Sequence, residues 1–173
     1  MCMPKIFVSY HRADMKYKNK IVSILRECGY QVYCVNEKVN FNGLKHQDIV
    51  NRICLMMDDC DVLLCIVGRE TYTRPHVDWE IHTALKGDIY SRKGIIAVML
   101  ENRKDSKNAI NLQTFPTKLQ ENFDYIVLEQ YATIKERIDG AIETALENSK
   151  DVHIQVTHKN PVMKLRTGLY FDN

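Results

Sequence analysis

Two unbroken apolar runs set the strongest limit on how this chain can fold. Residues 62–67 and 95–100 contain no polar side chain. Successive side chains of a strand point to opposite faces of its sheet, so a strand that is apolar throughout must be covered on both faces. Six residues are also too few to cross a membrane. The two runs therefore predict central strands of a parallel sheet with helices packed on both sides.

Shorter apolar runs and amphipathic helices alternate along the rest of the chain. Three further strands are predicted at residues 6–8, 30–35 and 124–128. Apolar residues recur at helical spacing between the strands and again over residues 131–145. Gly29 is typical of a helix end, and Pro75 of a first helical turn. The order predicts an α/β fold with a flavodoxin-like, doubly wound parallel sheet and helices on both faces.

One domain accounts for most of the length. A chain of 173 residues with 45% hydrophobic composition can bury a proper core. We assign residues 1–148 to this domain and residues 149–173 to a C-terminal extension. Within the extension, Val152, Ile154 and Val156 alternate with polar residues, which predicts an edge strand packed on the same domain. The polar stretch 101–122 predicts a functional loop or an insertion with short helical turns.

Charge and cysteine usage narrow the cellular setting. The net charge is +2, and the Lys and Arg residues are scattered, so we expect no nucleic-acid partner and no membrane surface. The six cysteines include no Cys-x-x-Cys pair, which favours free thiols in a reducing compartment over a zinc site or disulfides. The N-terminus runs directly into a short strand and has no long apolar stretch. We therefore expect a cytoplasmic protein with no bound metal.

Ligands of a doubly wound sheet bind outside the carboxyl ends of its strands. The segments to inspect are residues 9–14, 36–43 and 68–80. None of them carries the glycine-rich motif of dinucleotide-binding folds or a Walker loop. The third predicted strand closes with Gly68, where a response-regulator receiver would need an aspartate. These absences argue against a standard dinucleotide site, NTP hydrolysis and a phosphoacceptor domain.

The third predicted helix carries the strongest single candidate for chemistry. At about 100° per residue, its apolar face contains Val77, Ile81, Ala84 and Leu85, and Glu80 lies at the border of that face. A carboxylate at such a border is partly desolvated and still able to reach a cleft, as a catalytic acid requires. From geometry alone, a solvated helix glutamate remains the alternative.

Two sequence boxes resemble the TIR family. Residues 5–14 (KIFVSYHRAD) resemble its opening box, a short strand followed by Ser, an aromatic residue and a nearby Asp. Residues 71–81 (TYTRPHVDWEI) resemble the segment that carries the family's catalytic glutamate. The resemblance covers roughly residues 5–147 and is strongest to the TIR-like branch that includes the sensor subunit of bacterial Thoeris anti-phage systems. His76 stands where many TIR domains have Trp, and the neighbouring aromatic residue is Trp79.

The resemblance implies an enzyme that cleaves the nicotinamide–ribose bond of NAD, with NAD as substrate and no cofactor. Glu80 is then the catalytic residue. Candidate substrate contacts come from the loops at the carboxyl edge: Ser9, Tyr10, His11, Asn40, Tyr72, Arg74 and His76. A solvent-exposed loop histidine is the alternative for His11, and packing at the start of the helix is the alternative for Tyr72 and Arg74.

The resemblance also implies partners. The loop around Phe41 is expected to mediate self-association, and a neighbouring subunit can complete the active site. A phage-derived component is the expected activator, and a downstream effector protein is expected to respond to the nucleotide product. That product is an ADP-ribose-type nucleotide, linear or cyclic. The rival hypotheses are a non-enzymatic TIR adaptor that acts by protein–protein assembly, and an enzyme like the nucleoside deoxyribosyltransferases.

Overall fold

The computed structural model describes residues 3–34, 46–103 and 110–157. Its centre is a sheet of five parallel strands in the order β2-β1-β3-β4-β5. The strands are β1 Lys5–Ser9, β2 Gln31–Cys34, β3 Val62–Val67, β4 Gly94–Met99 and β5 Val127–Gln130. This order, with β1 and β3 side by side at its switch point, is that of a flavodoxin-like doubly wound sheet. The predicted fold class is confirmed.

Within the described residues, five helices cover the sheet. They are α1 Met15–Glu27, α2 His46–Asp58, α3 Pro75–Leu85, α4 Thr117–Glu121 and α5 Ile134–Lys150. Short 3-10 turns lie at Arg12–Asp14, Thr71–Thr73, Leu112–Thr114 and Tyr131–Thr133. One core cluster joins α1 and α5 to one face of the sheet. The other joins α2, α3 and α4 to the opposite face.

Strand β3 shows why an unbroken apolar run was needed. All six of its side chains are fully buried. Leu64 belongs to the cluster under α1 and α5, whereas Leu63 and Cys65 belong to the cluster under α2 and α3. Each fully buried aliphatic side chain of this kind contributes about 1.5–3 kcal/mol. A polar residue at any of these positions would face apolar packing instead of water.

The C-terminal segment departs from the prediction. Residues 151–157 contain a turn and a bend but no strand, so the expected edge strand is not formed there. Ile154 and Val156 nevertheless pack against the core cluster under α2 and α3. The period-two pattern therefore predicted the packing of Ile154 and Val156 correctly, but Val152 is 62% exposed.

The polar stretch after β4 contains short helical turns within its described part. The 3-10 turn at Leu112–Thr114 and helix α4 both fall in residues 110–122. The loop that contains Asn40 and Phe41 lies outside the described residues, as does the chain after residue 157. Within the described ranges, no helix combines the length and the apolar character needed to cross a membrane.

Candidate functional site

The carboxyl ends of β1 and β3 meet the first turns of α3. Ser9, the last residue of β1, is in register with Cys65 of β3. Since side chains alternate along a strand, Ser9 lies on the same face as Phe7, which packs in the α3 cluster. Helix α3 begins at Pro75, and Glu80 lies in its second turn. The sheet register and the helix start therefore bring Ser9 and Glu80 together.

Glu80 is buried more deeply than its helical position predicted. Only 3% of the residue is exposed, whereas the sequence placed it at the border of the apolar face. Burial raises the pKa of Glu80 to about 8 from its usual 4.5, because the charged form loses its water. The Ser9 hydroxyl beside it acts in the opposite direction and lowers this pKa. No charged side chain of the described residues is among the groups that set it.

Cys65 lies beside Ser9 in the sheet, and Glu80 is near enough to act on its thiol. The residue is fully buried, and burial is the largest cause of its raised thiol pKa. The negative charges of Glu80 and Asp78 raise it further, while the Ser9 hydroxyl lowers it. Such a thiol is protonated and unreactive at neutral pH. Its position beside Ser9 follows from strand register, which the sequence alone could not supply.

Buried polar atoms without a hydrogen-bond partner gather at this edge of the sheet. Ser9 Oγ and Glu80 Oε2 are two of them: the Ser9 hydroxyl lies near enough to lower the pKa of Glu80, but the two groups do not meet in hydrogen-bonding geometry. His11 Nδ1 and Asp14 Oδ2 are two more. These absences refer to residues 3–34, 46–103 and 110–157. Buried polar groups nearly always have partners, so a group of exceptions indicates a site that a ligand completes.

His76 fastens the loop after β1 to the start of α3. Its ring donates a hydrogen bond to the backbone carbonyl of Tyr10, which raises its pKa, but burial outweighs this and lowers the pKa to about 4. The pKa of His11 is lowered as well, chiefly by burial and then by the charge of Arg74. The nearby Asp14 and Glu70 carboxylates oppose that effect. Both imidazoles are therefore neutral at physiological pH.

Arg74 and Tyr72 lie at the start of α3. Arg74 Nη2 is 2.9 Å from Glu70 Oε2, and its side chain is 27% exposed. Its charge lowers the pKa of His11 and of His76, so it acts on the same pocket as the two imidazoles. Tyr72 is partly exposed in the 3-10 turn that precedes the helix.

The ring of Tyr10 does not reach Glu80. It packs against the cluster under α1 and α5, and Lys18 Nζ lies 5.1 Å from the ring centre. Side-chain alternation places it on the opposite face of the sheet from Ser9. The Tyr10 backbone carbonyl accepts the hydrogen bond from His76, and a substrate contact of the Tyr10 side chain stays a prediction. Of the remaining predicted contacts, Asn40 lies outside the described residues.

Asp14 belongs to the site but was not among the predicted site residues. It is 3% exposed, and burial raises its pKa. Asn102 Nδ2 donates to its Oδ1 at 3.3 Å. Its position in the sequence could have identified it. Asp14 follows β1 and Asn102 follows β4, and both strands end at the same edge of the sheet.

A surface groove lies elsewhere on the molecule. It has a volume of about 570 Å³ and none of the site residues line it. Its walls come from α1 and the end of β2: Lys18, Asn19, Val22, Ser23, Arg26, Glu27 and Cys34. The groove is mostly open to solvent and has no buried unpartnered carboxyl, so the chemistry is better placed at Glu80.

The family described as Thoeris protein ThsB, TIR-like domain, matches residues 7–105 of this chain, more than half of its length. The chain belongs to that family. The match includes Ser9, Asp14 and Glu80, so the whole described site falls within the family region. No curated protein matches the chain.

Several solved chains match this one, and one of them is the following TIR-domain structure. It is described as the activated Roq1 resistosome directly recognizing the pathogen effector XopQ, and its TIR domains match with a TM-score of 0.44 and 10% sequence identity. The match covers 84% of this chain and 83% of that chain. At that similarity it contributes nothing to the fold assignment, which rests on the strand order.

Proposed function

We propose that this chain is an NAD-cleaving enzyme of the NAD nucleosidase or ADP-ribosyl cyclase type, with Glu80 as its catalytic residue. The observation that carries the proposal is a buried carboxyl group that has an unpartnered oxygen and no positive side chain among the groups setting its pKa. A buried carboxylate needs a positive partner. The nicotinamide ring of NAD carries the positive charge that the described residues do not supply.

The proposed reaction places this carboxylate where positive charge develops. The bond between the ring nitrogen and the ribose carbon breaks, and its electron pair stays with nicotinamide, which leaves as a neutral molecule. The positive charge passes to the ribose as an oxocarbenium-like transition state. A fixed carboxylate stabilises such a state, as in glycoside hydrolysis. Water then attacks to give linear ADP-ribose, or a hydroxyl of the same molecule attacks to give a cyclic product, and the attacking oxygen loses its proton.

Substrate binding and proton release are linked in this proposal. With a pKa of about 8, Glu80 is mostly protonated at pH 7. A cationic ring beside a carboxyl group favours its ionised form. Binding of NAD therefore expels the Glu80 proton and creates the carboxylate that the reaction needs. Nicotinamide requires no strong general acid as it departs, so one carboxylate is sufficient.

The proposed setting is anti-phage immunity, which family membership supports. In this proposal the protein acts in the cytoplasm and makes a cyclic ADP-ribose-type nucleotide as a signal for a downstream effector protein. A phage-derived component activates it. Self-association through the loop around Phe41 assembles the active form, and Tyr72, Arg74 and the residues around His11 contact the substrate.

The test is a direct comparison of substrates. Purified protein is incubated with NAD and, separately, with deoxynucleosides, each with and without filtered lysate of phage-infected bacteria, and the products are separated by chromatography. We expect nicotinamide release from NAD and no base exchange on deoxynucleosides. Base exchange on deoxynucleosides would support the deoxyribosyltransferase alternative, and turnover of neither substrate would support the adaptor. The product masses separate the two nucleotides, because the cyclic product is lighter by one water.

A further inference from the structure

We propose that Asp14 is a positioning residue for the Glu80 site and that Gly68 provides the space in which its carboxyl group is seated. The inference rests on the proposed function. The Asp14 side chain is buried. The carboxyl group of Asp14 lies where the connections after β1, β3 and β4 meet, between Gly68 and Asn102. The side chain of Asp14, which belongs to the first connection, thus contacts the other two.

Gly68 is required here for space and not for backbone conformation. A Cβ atom at this position would lie 2.2 Å from Asp14 Oδ2 and 2.6 Å from Asp14 Cγ. The φ angle of Gly68 is not positive, in contrast to those of Gly29 and Gly87. Any side chain at position 68 would therefore push the Asp14 carboxyl out of its seat.

Hydrogen bonds hold the backbone around Gly68, against which the Asp14 carboxyl group packs. The Gly68 N–H donates to Thr71 Oγ1 at 2.8 Å, and the Thr71 hydroxyl donates to the Ile66 carbonyl at 3.3 Å. Thr71 is fully buried. The connection from β3 to α3 is thus held in one conformation, so Asp14 has to move if the contact is crowded.

Movement of Asp14 would be passed to the residues beside Glu80. The Asp14 N–H donates to the His11 carbonyl at 2.8 Å, which closes the turn after β1. Ser9 lies two residues before His11 and places its hydroxyl next to Glu80. Small displacements of groups around a reacting centre reduce the rate strongly, even when the displaced residue does not touch the substrate.

The contact between the Asp14 carboxyl group and position 68 predicts how a double variant should behave. Gly68→Ala should act only by displacing the Asp14 carboxyl. The three heavy atoms nearest to the added methyl group all belong to the Asp14 carboxyl group, so Asp14→Ala removes its closest contacts. The two changes should therefore be non-additive, with the double variant no worse than Asp14→Ala alone. Gly140→Ala is the matched control, because a Cβ at Gly140 has no neighbour within 4 Å.

The experiment measures kcat and KM for nicotinamide release, together with the melting temperature. We expect a loss of about tenfold in kcat for Gly68→Ala and for Asp14→Ala, with smaller changes in KM. Asp14→Asn keeps the shape of the side chain and should retain most of the wild-type kcat. A loss as large as that of Asp14→Ala would instead show that the charge acts on the reaction directly, and the positioning role would be wrong.

A second measurement does not depend on NAD cleavage. The titration of the Glu80 carboxyl carbon is followed by NMR in each variant. Positioning predicts that its midpoint shifts equally in Gly68→Ala, Asp14→Ala and the double variant, and stays at the wild-type value in Gly140→Ala. If wild-type protein releases no nicotinamide, the proposed function fails while this titration still decides the role of Asp14. Unchanged midpoints in folded variants, or losses of kcat that multiply in the double variant, would overturn the inference.

Discussion

Two buried glutamates of this protein have opposite surroundings. Glu129 in β5 is 6% exposed, and Arg137 Nε donates to its two carboxylate oxygens at 3.0 and 2.8 Å. Glu80 in α3 is 3% exposed, and no cation is among the groups that set its pKa. The first carboxylate is neutralised by its own chain and fastens α5 to the sheet. The second has no such cation among the described residues, as the proposed catalytic role requires.

The same contrast separates larger regions. Arg92, near the start of β4, donates to the backbone carbonyls of Asn148, Ser149, Asp151 and Ile154. That guanidinium closes the end of α5 and holds the following turn. At the opposite edge of the sheet, Ser9 Oγ and Glu80 Oε2 have no hydrogen-bond partner among the described residues. Satisfied hydrogen bonds indicate a structural role, whereas unsatisfied ones at a sheet's ligand edge indicate binding or catalysis.

The largest expected effect concerns loss of charge at the two glutamates. Glu80→Gln keeps the size of the side chain but removes its negative charge, so nicotinamide release should fall by about 100-fold or more. Glu129→Gln makes the same chemical change in β5 and should retain nearly the wild-type rate. Both are assayed under the conditions that activate wild-type protein. Equal rates for wild type and Glu80→Gln would contradict the role given to Glu80.

The pH dependence should sharpen the same comparison. Because the pKa of Glu80 is about 8, the ionised fraction in the free enzyme rises with pH and levels off above that value. We expect kcat/KM to rise by about tenfold per pH unit below roughly pH 7 and to reach a plateau near pH 9. The residual activity of Glu80→Gln should lack this rise. A flat wild-type profile between pH 6 and 9 would show that Glu80 does not titrate in this range.

Stability should respond in the opposite sense to activity. The folded-state pKa of Glu80 is raised above its usual 4.5, so folding favours the protonated form. The stability contribution is present below about pH 4.5 and is lost as the pH rises towards 8. Glu80→Gln should therefore increase the free energy of unfolding by a few kcal/mol at pH 9 and change it little at pH 5.

Chemical denaturation at the two pH values measures this difference. Glu129→Gln is the control and should be only slightly destabilising at pH 7, since it leaves a mostly exposed Arg137 without its partner. An unfolding free energy of Glu80→Gln equal to that of wild type at pH 9 would mean that the Glu80 carboxylate finds a partner in the folded protein.

The smallest expected effect is a difference in thiol labelling. Cys28 is exposed, whereas Cys60 and Cys65 are buried. Burial raises the pKa of Cys60 to about 11 and also raises that of Cys65. We expect a thiol reagent to modify Cys28 in the native protein and Cys65 only on unfolding. Mass spectrometry of the labelled protein measures both. Labelling of native Cys65 as fast as that of Cys28 would reveal that the Glu80 site opens readily.

The sequence by itself determined that a sheet is covered by helices on both faces. It also determined the edge of the sheet at which the candidate site lies. The apolar run at residues 62–67 required a strand covered on both faces, and the structure buries all six side chains. Gly29 ends a helix with a φ of 89°, and Pro75 begins one, both as predicted. These features depend on residue type at short, fixed spacing. The same spacing placed Ser9 and Glu80 at the carboxyl edge, because strand direction alone fixes which edge that is.

Only the tertiary structure decided how that site is built. A residue at the border of a helix face is buried or exposed according to what packs above it, so the sequence could not fix the depth of Glu80. The seat of Asp14 joins residues far apart in the chain: Gly68 supplies the space and Asn102, 88 positions away, supplies the hydrogen bond. No local pattern records such a contact, since it depends on how three loops meet after the sheet has formed.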